Sequence, residues 1–377
     1  GFRYRGRDDL CLVVSDRPAS AAGVFTTNRF QAAPVTVARE LVARGRARAL
    51  LVNAGQANAC TGGAGIANCR RTLEMVGQAT GLAPEDILPA STGVIGDHLL
   101  LDLWEKAVPD LSAGLGRATA QDAAKAIMTT DTFCKLAGRE LELAGQQVRL
   151  LGMCKGAGMI CPDMATMLSF VCCDAGVEPG VWREMVSRAS DLSFNRITVD
   201  GDTSTNDCLL ALANGASGVI AGDEWIHVLD QALVDLCRDL ACQIVRDAEG
   251  GTKVVTIRVV GAVNDREAEQ AARTVAHSPL VKTAFFGQDP NWGRIVAALG
   301  RSGADFDPDR VSVAMCGHVI FAAGQPVDMD RDALLKPLLA ERDQQVEVVL
   351  GNGSGRCEIL TSDLTCDYVR INAEYRT

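Results

Sequence analysis

No apolar run in this 377-residue chain approaches the roughly 18–20 residues that a membrane-spanning helix requires. A membrane partner is therefore not expected, and the opening GFRYRGRDDL lacks the apolar core of a secretory signal. Runs of Lys and Arg are also missing. With 37 basic against 47 acidic residues the net charge is −10, which argues against nucleic acid, because a phosphate backbone calls for a basic surface. The fourteen cysteines contain no CxxC pair, and the four histidines (His98, His227, His277, His318) are scattered. Zinc-type ligand spacing is thus absent, and the chain is too long for a disulfide scaffold. The cysteines are expected to be reduced and mostly buried, with no metal and no cofactor. Internal repeats and low-complexity linkers are lacking as well. The expected location is the cytoplasm or, for a eukaryotic source, the mitochondrial matrix, with any targeting segment preceding residue 1.

What is present is ample material for a core, since 47% of residues are hydrophobic. Short β-branched runs alternate with Ala-rich segments, an α/β pattern. LCLVV from Leu10, ARALLVN ending at Asn53, KVVTIRVV from Lys253, RVSVAM from Arg310 and VEVVL from Val346 read as strands. Residues 119–128, 179–192 and 223–246 read as helices. Thr119 with Asp122 three residues on resembles a capping box, which places Thr129 where that helix ends.

Residues 155–170, KGAGMICPDMATMLSF, carry the chemistry. A backbone loosened at Gly156 and Gly158 and interrupted at Pro162 can press a peptide carbonyl against a hydroxyl. The apolar run 167–173 reads as a buried strand that holds Thr166 still. Thr166 is then placed to attack the carbonyl of Ala165 and cut its own chain. The cut frees an α-amine, of pKa about 7.7–8.0, beside the threonine hydroxyl, so that one residue carries a nucleophile and its base. On spacing alone the plainer reading, an ordinary Thr after Ala at a strand start, is preferred to self-cleavage. Cys172 and Cys173, in the same run, read as strand packing.

KGAGMICPDMATML resembles the self-cleavage signature of the ornithine acetyltransferase family, also called glutamate N-acetyltransferase. STGVIG at 91–96, TTDTF from Thr129, SFNRITVDGDTSTND at 193–207, KTAFFGQDPNWGRI at 282–295 and the tail YVRINAEYRT resemble that family in the same order, nearly end to end. The resemblance implies an α/β fold, an αββα sandwich of the self-cleaving N-terminal-nucleophile type with its own connectivity. It also implies a cut that leaves an N-terminal piece, 1–165, and a C-terminal piece, 166–377. Two copies of each would form a heterotetramer.

The same resemblance assigns roles. Thr166 Oγ1 would take the acetyl group of N-acetylornithine and pass it to glutamate in ping-pong fashion, as part of arginine biosynthesis, and acetyl-CoA is a possible second donor. Thr92 and Gly93 would supply a hydroxyl and an N–H to the oxyanion. Substrate positioning falls to Thr129, Lys155, Thr166, Glu249, Asn372 and Thr377. A carboxylate suits Lys155, and an amine suits Glu249. Read without the family, Ser91-Thr92-Gly93 is a turn, Lys155 a solvated loop charge and Glu249 an exposed turn acid. The tail is expected to dock through Tyr368, Val369 and Ile371, because a chain end without anchors frays. GDTSTND and DPNWGR receive no catalytic role, since turn and capping chemistry accounts for both.

This chain departs from the family pattern at Cys161 and Asp163, where Ala and Asn are expected, and at DAEGGTK in place of a sequence nearer DGEGATK. Its opening block is also shorter. A self-cleaving aminopeptidase or amidohydrolase of the same architecture is the alternative. GNGSGR at 351–356 suggests a dinucleotide fingerprint, but Arg356 stands where the third glycine belongs and CEILT reads as a strand.

Overall fold

The structure, a computed structural model, describes residues 2–3, 6–161, 167–222 and 224–374. The first part of the chain forms β1 (Leu10–Phe25), α1 (Ala33–Val42), β2 (Arg46–Asn53), α2 (Gly62–Thr80), β3 (Ile87–Ser91), α3 (Leu101–Ala113) and α4 (Ala120–Ala126). β4 (Lys135–Leu143), β5 (Gln146–Lys155), β6 (Leu168–Cys173) and α5 (Pro179–Asp191) follow. The remainder runs β7 (Ile197–Thr198), β8 (Cys208–Ala213), α6 (Ile226–Arg246), β9 (Val254–Ala262), α7 (Asp265–Ala276), α8 (Pro279–Phe286) and α9 (Trp292–Gly300). It ends with β10 (Ser312–Met315), β11 (His318–Ala322), β12 (Gln325–Pro326), α10 (Arg331–Leu339), β13 (Asp343–Val349), β14 (Gly355–Ser362) and α11 (Cys366–Glu374).

Local chemistry explains many of these boundaries. Thr119 and Asp122 form the expected capping box on α4. Pro at the first turn opens α1, α5 and α8, where a missing N–H costs nothing. The run 167–173 is a buried strand as its composition demands: every residue of β6 except Cys172 is fully buried. The dinucleotide reading fails as expected, because GNGSGR runs directly into β14 and not into a helix.

The α/β class holds. The described residues form two compact units, one running up to Asn195 plus Asp202–Ile244, the other Arg196–Gly201 plus the chain from Val245 onward. Each is built on one seven-stranded mixed sheet with helices packed against it. The first sheet has the order β3-β2-β1-β8-β6-β5-β4, with β2/β3 and β6/β8 parallel and the other pairs antiparallel. Its core sets Phe25, Leu50, Leu88, Leu168, Phe170 and Leu210 against Val37, Leu73, Val76 and Trp104 from the helices. The second sheet has the order β12-β11-β10-β13-β9-β14-β7. There Ile257, Val259, Val346, Val348 and Ile359 pack against α7 residues Ala268, Ala271, Ala272 and Val275. Alanine on that face of α7 lets the helix lie close to the strands.

Of the fourteen cysteines half are buried, fewer than expected, while Cys60 and Cys366 are exposed. Burial pushes the thiols of Cys11, Cys69 and Cys173 up to about 12, which keeps them protonated and inert.

Candidate functional site

Ala165 and Thr166, the expected cleavage pair, lie outside the described residues, but their flanks are fixed. Leu168 pairs with Lys155 of β5 on one side and with Cys208 of β8 on the other. The Met167 carbonyl accepts from the Cys208 N–H at 3.2 Å. Before the gap, the Cys161 carbonyl accepts from Thr203 Oγ1 at 3.1 Å. Both flanks of residues 162–166 are therefore held by the single segment 203–208.

Lys155 is not a solvated loop charge. It ends β5 and is buried, with only 6% of its surface exposed. One carboxylate organises its surroundings. Asp131 Oδ1 accepts from Lys135 Nζ at 2.6 Å and from the Gly156 N–H at 2.7 Å, and its Oδ2 accepts from the Thr129 N–H at 2.9 Å. Thr129 and Lys155, 26 positions apart in sequence, are thereby brought to the two sides of one buried side chain. Burial alone would push the Asp131 carboxyl up. Lys155, Lys135 and the Gly156 N–H outweigh it and hold the group below its usual range. Asp131 and Lys135 received no role from the sequence, although Asp131 stands inside the quoted TTDTF block. The missed signal was an acid amid otherwise apolar and hydroxyl residues.

Thr92 and Gly93 follow β3 in a turn pressed onto residues 55–57. The Thr92 N–H donates to the Asn53 carbonyl at 2.8 Å. Gly93 has φ +142°, and a Cβ there would meet Ala57 N, Gln56 Cα and Gly55 O, each at 3.1 Å, so neither the dihedral nor the space admits a side chain. Asn206 closes this turn. Its Nδ2 donates to the carbonyls of Ala57 at 2.7 Å and Ser91 at 2.8 Å. Local capping therefore accounts for only part of GDTSTND. The prediction holds better for DPNWGR, where Asn291 caps α9 by accepting from the Arg294 N–H.

Glu249 and Asn372 belong to the second unit, where Asn372 Nδ2 donates to Glu249 Oε2 at 2.9 Å. Glu249 is half-buried and not an exposed turn acid. The turn after it approaches α11 so closely that a Cβ on Gly250 would lie 2.6 Å from the Tyr368 N, with φ +66°. Thr365 Oγ1 donates to the Gly250 carbonyl and accepts from the Tyr368 N–H. The tail docks through these polar contacts and through two of its three expected anchors, Tyr368 and Ile371, which are half-buried, whereas Val369 is 63% exposed. Thr377 lies outside the described residues.

Residues 1–377 match the ArgJ family. The chain is 59% identical to the arginine biosynthesis bifunctional protein ArgJ of Nitratidesulfovibrio vulgaris, over 100% of this chain and 96% of that protein. It is 48% identical to the protein of the same name from Thermosynechococcus vestitus, over 100% and 94% respectively. Among solved structures it is similar to the arginine biosynthesis bifunctional protein argJ of Bacillus halodurans. That chain is 40% identical with a TM-score of 0.53, and the match covers 56% of this chain and 100% of the solved one. The chain belongs to the ArgJ family.

Proposed function

We propose that this protein transfers the acetyl group of N-acetylornithine to glutamate, giving ornithine and N-acetylglutamate in arginine biosynthesis. The observation that carries this reading is the family match over the whole chain, with relatives covered almost end to end. The alternative of a self-cleaving aminopeptidase or amidohydrolase is not favoured. The word "bifunctional" in the relatives' names supports acetyl-CoA as a second donor.

In this mechanism the chain cuts itself between Ala165 and Thr166. The Thr166 hydroxyl attacks the acetyl carbonyl while the new α-amine takes its proton and hands it to the departing ornithine amine. The Thr92 hydroxyl and Gly93 N–H receive the oxyanion, each such donor being worth about 2.7–4 kcal/mol. Glutamate then attacks the acetyl-threonine ester. Substrate positioning falls to Thr129, Lys155, Glu249, Asn372 and Thr377: Lys155 and hydroxyl or amide donors suit the substrate carboxylate, and the Glu249 carboxylate suits an amine. The burial of Lys155 supports its role, because a buried ammonium binds a carboxylate more strongly than an exposed one. The cut is supported by a length: the solved Bacillus halodurans chain in its entirety matches 56% of this chain, the share that residues 166–377 make up. Two copies of each piece form the assembly.

The test is the denatured mass of the protein beside Thr166→Ala, followed by acetyl transfer assays. Two species ending at Ala165 and beginning at Thr166, a variant that stays whole near 39.9 kDa, and parallel-line kinetics with the two substrates are expected. A wild-type chain that stays whole would overturn the mechanism.

A further inference from the structure

We propose that Asn206 is a positioning residue that sets the oxyanion donors of the Thr92–Gly93 turn in register with the strand that carries the nucleophile. The inference rests on the roles proposed above for Thr166, Thr92 and Gly93, and goes beyond them. The two elements concerned are remote in sequence, the turn following β3 and the nucleophile preceding β6. A hole for an oxyanion works only if its donors lie about 2.7–3.1 Å from where the charge develops, so their spacing must be fixed by something rigid.

The segment 203–208 has the necessary contacts. Asn206 is 5% exposed, and its single NH₂ group is used twice, on Ala57 and on Ser91. Ser91 is the residue before Thr92, and Ala57 is the backbone on which Gly93 rests. The two bonds thus grip the turn and its support together. The remaining oxygen, Oδ1, accepts from Thr205 Oγ1 at 2.6 Å, which fixes the amide's orientation. Two residues on, the Cys208 N–H donates to Met167, the neighbour of Thr166. Thr26 holds both sides of the same segment, its N–H donating to the Asp207 carbonyl at 3.0 Å and its Oγ1 to the Ser204 carbonyl at 2.8 Å. A short backbone segment, braced by Thr26, therefore joins the donor turn to Met167. No aliphatic side chain or ionised carboxylate can replace the amide, because both partners are carbonyls and need donors.

Asn206→Asp keeps the shape and puts an oxygen where Nδ2 faced two carbonyls. The expected result, expressed per cleaved nucleophile, is a kcat for acetyl transfer lower by about 10²-fold, the cost of losing one oxyanion donor. KM for both substrates should stay within about 3-fold, because the ground state does not use these donors. The deficit should narrow as pH falls, since a protonated carboxyl regains one donor. Asn206→Ala should lose activity without that recovery at low pH, a contrast that a mere packing defect would not produce. Should Asn206→Asp fail to fold or to cut itself, Thr205→Val removes only the hydroxyl that orients the amide, and should lower kcat several-fold at unchanged KM. Variants with wild-type kcat, or with KM raised and kcat intact, would overturn the inference alone. A wild-type enzyme that never gains the mass of one acetyl group on its C-terminal piece would overturn the underlying reading, and this inference with it.

Discussion

Three hydrogen bonds, from Thr129, Lys135 and Gly156, converge on Asp131, and its replacement separates stability from substrate binding. In Asp131→Asn the amide can still accept from Lys135 and Gly156, but its NH₂ then faces the Thr129 N–H, donor against donor. Lys135, wholly buried, also loses the carboxylate beside it, and removing one partner of a buried pair costs about 3–5 kcal/mol. The variant should melt lower and show KM raised for both N-acetylornithine and glutamate, since one carboxylate site serves both. Adding Lys135→Met should recover stability by removing the stranded cation, yet leave KM high, because the Thr129 N–H still lacks its acceptor. Equal recovery of both would sink the positioning role. The pH dependence follows from the sign of the shift. Because the folded carboxyl sits below its usual value, its contribution is present above the ordinary carboxylate range and lost as pH falls through the folded value. The stability gap between wild type and Asp131→Asn should therefore shrink in acid, as denaturant titrations at several pH values would reveal.

The junction of α8 with the end of β14 carries a second buried charge. Lys282 of α8, 4% exposed, donates to Thr361 Oγ1 at 3.0 Å and to the carbonyl and hydroxyl of Ser362. Burial pulls its ammonium down to about 8, against the opposing pull of Asp363 and Asp200. The unfolded state therefore binds the proton more tightly, and stability from this group rises between about pH 8 and the ordinary lysine value. Between those limits the wild type should gain stability relative to Lys282→Met, and a constant difference would refute the assignment. Elements such as α4 and α5 were legible in the sequence because their signals are local: Thr119 and Asp122 cap α4, Pro179 opens α5, and apolar runs mark the strands. The candidate site was legible only through the resemblance. From residues alone Lys155 read as solvated and Ser91-Thr92-Gly93 as a turn. What makes them a site is pairing across 25 or more positions, Asp131 with Gly156 and Asn206 with Ser91, and periodicity carries no information about such partners. Sheet order was hidden for the same reason, as was the bond from Asn372 of α11 to Glu249.

At the scale of the molecule, the proposed cut has a topological consequence. In the first sheet the strands before the cut are β1–β5 and those after it are β6 and β8, and the order β3-β2-β1-β8-β6-β5-β4 places the latter pair between β1 and β5. Residues 208–213 pair with 20–25 on one side, and 168–173 pair with 150–155 on the other. The C-terminal piece is thus an inner slice of a sheet whose outer strands belong to the N-terminal piece. Neither piece can leave without breaking two hydrogen-bonded seams and exposing fully buried strand residues such as Leu168, Phe170, Leu209 and Leu210. The two pieces should therefore elute together under native conditions and part only in denaturant. Cutting also changes the unfolded state, which becomes two independent chains, so that unfolding releases an extra particle. By mass action the melting temperature of the cleaved wild type should then rise with protein concentration more steeply than that of uncut Thr166→Ala, even if both assemble into the same oligomer. Calorimetric scans of the two proteins over a hundredfold range of concentration measure this directly. Identical slopes would mean that the chain is not divided between β5 and β6, and pieces that separate on a native column would mean that the interleaved sheet is not what holds them together.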